Sequence, residues 1–396
     1  MQRPAPRNAQ PVLAGLLTAL VAFTSSAAVV LTGLRAVGAT PAEAASGLLT
    51  VCVTQGAGML WLSRRHRIPL TLGWSTAGAA LLVSTGQVRG GWPAAVGAFA
   101  VVGALIVLTG LWPRLGALIA AIPAPIAQAM LAGVTLELCL EPVKGLAGHP
   151  LEVAPILLTW LVLLRLARKW AVPAAFAVTL VVVGAGIARD GGWHGGVLPH
   201  LVFTTPALTW AGVLGIALPL YVVTMAGQNV PGVAVMATYG YTVPWRETMT
   251  VTGAATVAGA VAGGQVVNLA AITTALSAAP DADPDPRRRW IASHTAGWAY
   301  LVLALLTAAF TTFLTSAPAD VIGAVAGLAL LGTLANSLGA ALRDADGREA
   351  AAITFAVAAS GLSIAGIGTA FWALAAGLLV RAALTFKPRP HRTDLR

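Results

Sequence analysis

The chain has 396 residues, 57% of them hydrophobic and 10% charged, with a formal net charge of +10 at pH 7. Soluble domains carry about 25% charged residues, so a chain with a mean hydropathy of +0.81 has too little polar surface for a water-soluble fold. Its apolar stretches are continuous blocks of roughly 20 residues rather than alternating ones, which excludes a membrane β-barrel and predicts membrane-crossing helices.

In chain order, the blocks predict helices over 12–34, 43–62, 93–111, 115–138, 151–168, 172–189, 206–227, 247–262, 289–313, 318–341, 349–364 and 366–385. Two shorter segments, 70–86 and 264–278, bring the count to fourteen. Arg3 and Arg7 before an apolar run imitate a signal peptide, but so many spans follow that a retained first helix is expected. With both termini in the cytoplasm, 20 of the 24 Lys and Arg residues fall on the inner side, among them Arg64, Arg65, Arg67, Arg165, Arg168, Lys169 and Arg287 to Arg289. That split is the positive-inside signature of a multi-pass inner-membrane protein. The basicity is therefore topological: the bilayer is the partner, and nucleic acid is not needed to explain it.

Cys52 and Cys139 lie inside apolar spans as small core residues, with no disulfide framework, metal set or cofactor motif. The stretch Pro280-Asp281-Ala282-Asp283-Pro284-Asp285-Pro286 spaces its carboxylates like part of a calcium loop. It lacks the glycine and the closing glutamate, and a solvated cytoplasmic loop is expected there.

Internal symmetry is the stronger signal. Residues 73–81 align without gaps on 264–272, both opening on Gly, carrying polar groups early and running into a short apolar helix. Each is the third span of a seven-span half, and seven is odd. The halves, 1–200 and 201–396, must insert with opposite orientations. Paired, glycine-interrupted spans in inverted halves point to the substrate site of a secondary transporter. Polar residues at membrane depth cluster around them: Thr24, Ser25 and Ser26 on the first span; Trp74, Ser75 and Thr76 on the third; Met225, Gly227, Gln228 and Asn229 on the eighth; Gly264, Gln265, Val266, Val267 and Asn268 on the tenth. Ser and Thr in membrane helices commonly bond to their own backbone, whereas Gln228-Asn229 followed by Pro231 predicts a broken helix. Half-helices starting at Ser75–Gly78 and Val266–Asn268 would direct free N–H groups and positive dipole ends at the midplane. Such a site suits a small anion without Lys or Arg.

None of the 14 acidic residues falls at the predicted midplane. Glu137 is the deepest, expected within a turn or two of the outer surface. With Asp320 and His294 it completes the set of candidates for carrying a proton. No His/Cys/Asp set or Ser–His–acid arrangement shares a depth, which disfavours a membrane enzyme. Broken helices need a cavity to solvate them, which disfavours a scaffold.

The stretches Val223-Thr224-Met225-Ala226-Gly227-Gln228-Asn229-Val230-Pro231-Gly232 and Gly263–Thr273 resemble signatures of the bacterial benzoate/proton symporter (BenE) family. So do Phe23–Ala28, Trp74–Ala79 and the Pro280–Trp290 loop. The resemblance spans nearly the whole chain. It implies the seven-plus-seven inverted-repeat fold shared with nucleobase and sulfate/bicarbonate transporters. A core domain (10–114 plus 205–315) would carry substrate between spans 1, 3, 8 and 10, and a gate domain (115–200 plus 316–390) would offer a homodimer interface. Nucleobase permeases of this fold carry acids about where Gln228 and Gln265 stand, so the amides here disfavour uracil or xanthine. The activity implied is proton-coupled import of benzoate or a related aromatic carboxylate by an elevator movement. The alternative on the same fold is another small anion, or exchange without protons.

Overall fold

Thr40 illustrates how the sequence starts a helix. Its hydroxyl accepts the Glu43 N–H at 3.3 Å, and the Glu43 carboxylate accepts the Thr40 N–H at 2.8 Å. With Pro41 in the first turn, two orphan donors of the helix start are satisfied reciprocally. The computed structural model describes residues 9–189, 196, 198–271, 273–364 and 367–385. Arg3, Arg7, Lys387, Arg389, Arg392 and Arg396, six of the 20 basic residues expected on the inner side, lie outside the described residues, as do Asp190 and Asp394.

The first half carries α1 (Ala9–Ala36), α2 (Pro41–His66), β1 (Leu72–Trp74), α3 (Thr76–Thr85), α4 (Gly91–Leu111), α5 (Pro113–Ala120), α6 (Ala124–Gly148), α7 (Pro150–Leu166) and α8 (Ala171–Arg189). The second carries α9 (Trp210–Thr238), α10 (Trp245–Ala260), β2 (Val267–Leu269), α11 (Thr274–Ala278), α12 (Trp290–Leu305), α13 (Thr307–Thr315), α14 (Ala319–Ala341), α15 (Arg348–Ala359) and α16 (Thr369–Thr385). Among the described residues, seven helices are long and apolar enough to cross a membrane, or eight if the pair α12–α13, bent by 55°, forms one span. Leu151, Trp210 and Val181 are 86%, 82% and 71% exposed. Large apolar side chains so exposed all round a chain fit a hydrocarbon surround.

Three expected spans differ. Residues 115–138 are not one helix: Pro123 and Pro125 separate α5 from α6, and α6 continues to Gly148 with Pro142 inside it. Glu137 thus sits about three turns before the end of its helix. Residues 289–313 bend at Leu306. The break expected at Gln228-Asn229 is a local widening instead. α9 takes two π turns, Val213–Ala217 and Met225–Asn229, each within two residues of a proline (Pro219 and Pro231). The Val230 N–H reaches Met225 O, five residues back, so the irregularity ahead of Pro231 is absorbed without opening the helix. The Pro280–Arg289 loop is also less solvated than expected. Arg289, 5% exposed, donates to the carbonyls of Asp283 and Ala278, and Asp283 is itself buried.

The core forms around α1, α2, α4, α9 and the two strands. Two helix pairs meet backbone to backbone: α2 with α12 at Gly56 and Gly297, and α4 with α10 at Gly103 and Gly253. Small residues at such crossings let van der Waals packing act where lipid supplies no hydrophobic drive. A second apolar cluster joins α7, α8 and α14 through Val153, Ile156, Phe176, Val321 and Val325. α14 packs along α6 as well, and Phe310 and Phe313 touch both clusters.

Candidate functional site

β1 and β2 pair antiparallel where the two chain breaks cross, with Leu72 opposite Leu269, Gly73 opposite Asn268 and Trp74 opposite Val267. The pairing extends through Ser75 N–H to Val266 O (3.1 Å) and Ala270 N–H to Thr71 O (2.9 Å). The strand centre at Asn268 lies four residues beyond the Gly264 that the gapless alignment sets against Gly73.

The first half-helix starts where expected. Ser75 caps α3, its hydroxyl accepting the Gly78 N–H at 3.0 Å and a bond from Thr224 at 3.0 Å. Gly78 has to lack a side chain, since a Cβ there would lie 2.8 Å from Ser75 Oγ and 2.3 Å from Leu220. The Thr76 and Ala77 N–H groups keep no acceptor among the described residues, as the first turn of a helix requires. Ser75→Ala is expected to cost about 1 kcal/mol as a lost cap, read as a lower melting temperature in detergent; Ser75→Thr restores most of it.

The second half-helix corrects the expectation. Val266, Val267 and Asn268 are strand or strand-flanking residues, fully buried, and α11 begins only at Thr274. The Val267 N–H is taken by Thr256 Oγ1 at 3.0 Å, and the N–H of the next strand residue but one, Leu269, by Asn229 Oδ1 at 2.8 Å, so neither is free for a ligand. An extended backbone that finds side-chain acceptors has no reason to coil earlier.

Beside β1 and the start of α3 lies a cavity of about 110 Å³, several times the roughly 10–15 Å³ that one water needs on this measure. Of the predicted residues, Ser25, Ser26, Trp74, Thr76 and Gln228 line it. Thr273, Tyr300, Ala329 and Thr333, which sequence reasoning missed, line it too. Each is a lone polar or small residue on an apolar helix or after the strand, so no spacing marks it. No charged side chain among the described residues borders the space.

The polar wall is ordered from behind. Ser25 and Ser26 donate to the carbonyls of Val21 and Ala22, and Trp74 Nε1 donates to Ser26 Oγ at 2.9 Å. Phe23 and Tyr300 stack edge-on against Trp74, with centroids at 6.0 and 5.8 Å. Gln228 Oε1 accepts the Ala271 N–H at 3.4 Å. The Gln228 side chain borders the cavity, and its amide nitrogen has no acceptor among the described residues.

The remaining predicted residues do not reach it. Thr24 bonds back to Leu20 O. Met225 and Asn229 are buried together, with Asn229 Nδ2 donating to Met225 Sδ at 3.1 Å. Gly227 faces Leu131 on α6, and Gly264 packs against Gly259 and Thr50. Gln265 is buried with both amide atoms unpartnered, as is Asn268 Oδ1. None of the proton candidates is among the residues lining this cavity. Asp320 meets His149 at 3.0 Å, His294 meets Ser63 at 3.3 Å, and Glu137 lines a second cavity of about 550 Å³ with Arg35, Glu141 and residues of α13 and α14.

Comparison with known proteins gives this arrangement a lineage. The family model for benzoate membrane transport proteins matches residues 5–383. The chain is 39% identical over 369 residues to the inner membrane protein YdcO of Escherichia coli (strain K12), covering 92% of this chain and 93% of that protein. It is 28% identical over 330 residues to the benzoate membrane transport protein of Acinetobacter baylyi (strain ATCC 33305 / BD413 / ADP1), covering 81% of each. Its fold is similar to the transmembrane domain of a cyanobacterium bicarbonate transporter, BicA, with a TM-score of 0.60, 15% identity and coverage of 96% of this chain and 97% of that one. It is also similar to the anion transporter SLC26A9, with a TM-score of 0.62, 14% identity and coverage of 97% of this chain and 68% of that one. At such identities the last two likenesses are of fold alone. The chain belongs to the benzoate membrane transport protein family and is a membrane transporter, not an enzyme.

Proposed function

We propose that this transporter imports benzoate or a related aromatic carboxylate together with protons across a bacterial inner membrane, and that it does so by an elevator movement. The observation that carries the reading is the composition of the small cavity. The N–H groups at the start of α3, without acceptors among the described residues, and the Gln228 amide supply donors for a carboxylate, Trp74 and Tyr300 supply aromatic surface for a ring, and no carboxylate among the described residues lines the space to oppose an anion. A helix start and neutral donors stabilise a carboxylate without the desolvation penalty of a buried Lys or Arg.

The elevator reading assigns residues 10–114 and 205–315 to a moving core and 115–200 and 316–390 to a gate, which also offers the surface for a homodimer. Fourteen spans in two inverted halves, with cytoplasmic termini, complete it. Two features support this division. The cavity is closed on one side by Ala329 and Thr333 of α14 and on the other by α1, β1, α3 and α9. α14 in turn belongs to the separate apolar cluster of α7 and α8. Of the titratable candidates, Glu137 is placed best for a proton, because it borders the larger cavity between α1, α6, α13 and α14.

Purified protein in proteoliposomes tests the reading. Labelled benzoate should accumulate inside when the external medium is more acidic, and accumulation should collapse with a protonophore. Uptake of benzoate that ignores the pH gradient sinks the symport, and uptake of bicarbonate or uracil with none of benzoate sinks the substrate class.

A further inference from the structure

One surface of the molecule lies away from the small cavity that carries this transport reading. α2 and α12 touch at Gly56 and Gly297, where a Cβ on either residue would lie within 2.9–3.0 Å of the other's carbonyl oxygen. Beside that contact an open groove of about 700 Å³ runs toward the Arg-rich end of α2, bordered by Leu60, Trp61, Arg64, Arg65, His294 and Trp298.

The cations at this end differ in what they have left to offer. Arg65 pairs with Glu247 at 2.8 Å, and Arg67 lies over the Trp290 ring at 4.5 Å. Arg64 has no carboxylate partner among the described residues. Trp61 and Trp298 are each 57% exposed on the two helices that flank it. Half-exposed indoles are enriched at the membrane–water boundary; the Trp61 Nε1 donates to Glu247 Oε1 at 3.3 Å, so its ring rather than its N–H is what the groove presents. A basic groove between helices on the cytoplasmic side is the shape that holds a lipid phosphate. The apolar floor, made by Ala57 and Leu60, gives an acyl chain a wall that a free anion would leave unused.

We propose that this groove is a binding site for the phosphate headgroup of an anionic phospholipid of the inner leaflet, with Arg64 as its charge and Trp61 and Trp298 flanking the upper acyl chains. The leaflet rests on the orientation given by the basic-residue bias; the chemistry of the groove does not depend on the substrate assigned above.

Native mass spectrometry of the full-length protein, released from nanodiscs of phosphatidylcholine with increasing phosphatidylglycerol, tests it without any substrate present. Phosphatidylglycerol should remain bound to the parent protein. Arg64→Gln should weaken that binding about fivefold, the equivalent of about 1 kcal/mol for one basic residue at an anionic surface. Trp298→Ala should weaken it too, while Arg343→Gln, a basic residue elsewhere on the same side, should not. Unchanged binding in Arg64→Gln overturns the site, as does an equal loss in Arg343→Gln. Displacement of the lipid by inorganic phosphate would reassign the groove to a soluble anion. Because uptake is not measured, failure here is distinguishable from failure of the transport reading.

Discussion

Gln228→Leu should lower uptake of the aromatic carboxylate by about 10- to 150-fold, the equivalent of a hydrogen bond to a charged group worth about 1.5–3 kcal/mol. The protein should still reach the membrane and elute as a single species. The side chain is half-buried, borders the cavity and holds only one weak contact, from the Ala271 N–H at 3.4 Å. Removing it sacrifices little of the fold and a side-chain donor of the site. Its neighbour offers the control. Asn229 is fully buried, fixes Leu269 through its oxygen and Met225 through its nitrogen, so Asn229→Leu should reduce the yield of folded protein. Initial rates of labelled benzoate uptake, normalised to protein in the membrane, separate the two. A parental rate in Gln228→Leu would remove this residue from the site.

Gly253→Leu should be strongly damaging to the fold. A Cβ at Gly253 would lie 2.6 Å from Gly103 O and 2.6 Å from Val107 N. Both are backbone atoms of α4, which cannot rotate away as a side chain can, so the helices must separate along their length. Overpacking of this kind costs about 3 kcal/mol or more, a large part of the net stability of most domains. The same substitution at Gly339, where a Cβ would meet nothing within 4 Å, should be silent. Fluorescence-detected size-exclusion after a temperature ramp reads both. A monodisperse Gly253→Leu protein with the parental melting temperature would contradict the close packing of α4 on α10.

Much of this was legible in the sequence because membranes make few demands and make them strictly. Every backbone polar group has to be satisfied inside hydrocarbon, so helices are forced and their lengths follow bilayer thickness. Ser75 before Thr76-Ala77-Gly78 is a cap written locally, and the start of α3 could be read from it. The start of α11 could not. Val266, Val267 and Leu269 look as helical as any apolar run. What keeps them extended is the Asn229 oxygen, contributed from a helix about 40 residues away in sequence. Tyr300 and Thr333 were invisible for the same reason, since each becomes a wall of the cavity only when α12 and α14 pack beside β1. The π turns of α9 left one trace, the prolines at 219 and 231, but a proline alone does not tell a break from a widened turn.

The antiparallel strand pair has a consequence for how a ligand could ever leave. Backbone bonds weld the two re-entrant pieces together at Thr71–Ser75 and Val266–Ala270, so these pieces cannot act as jaws that open and shut on their contents. Facing them across the lining is the strip of α14 at Ala329 and Thr333, which offers a methyl group and a hydroxyl and has no bond to the strands among the described residues. Under the proposed transport reading, recognition and confinement would then be vested in different surfaces, one rigid and rich in donors, the other smooth and replaceable. A substitution on the smooth surface should alter how fast a molecule departs more than which molecule is chosen.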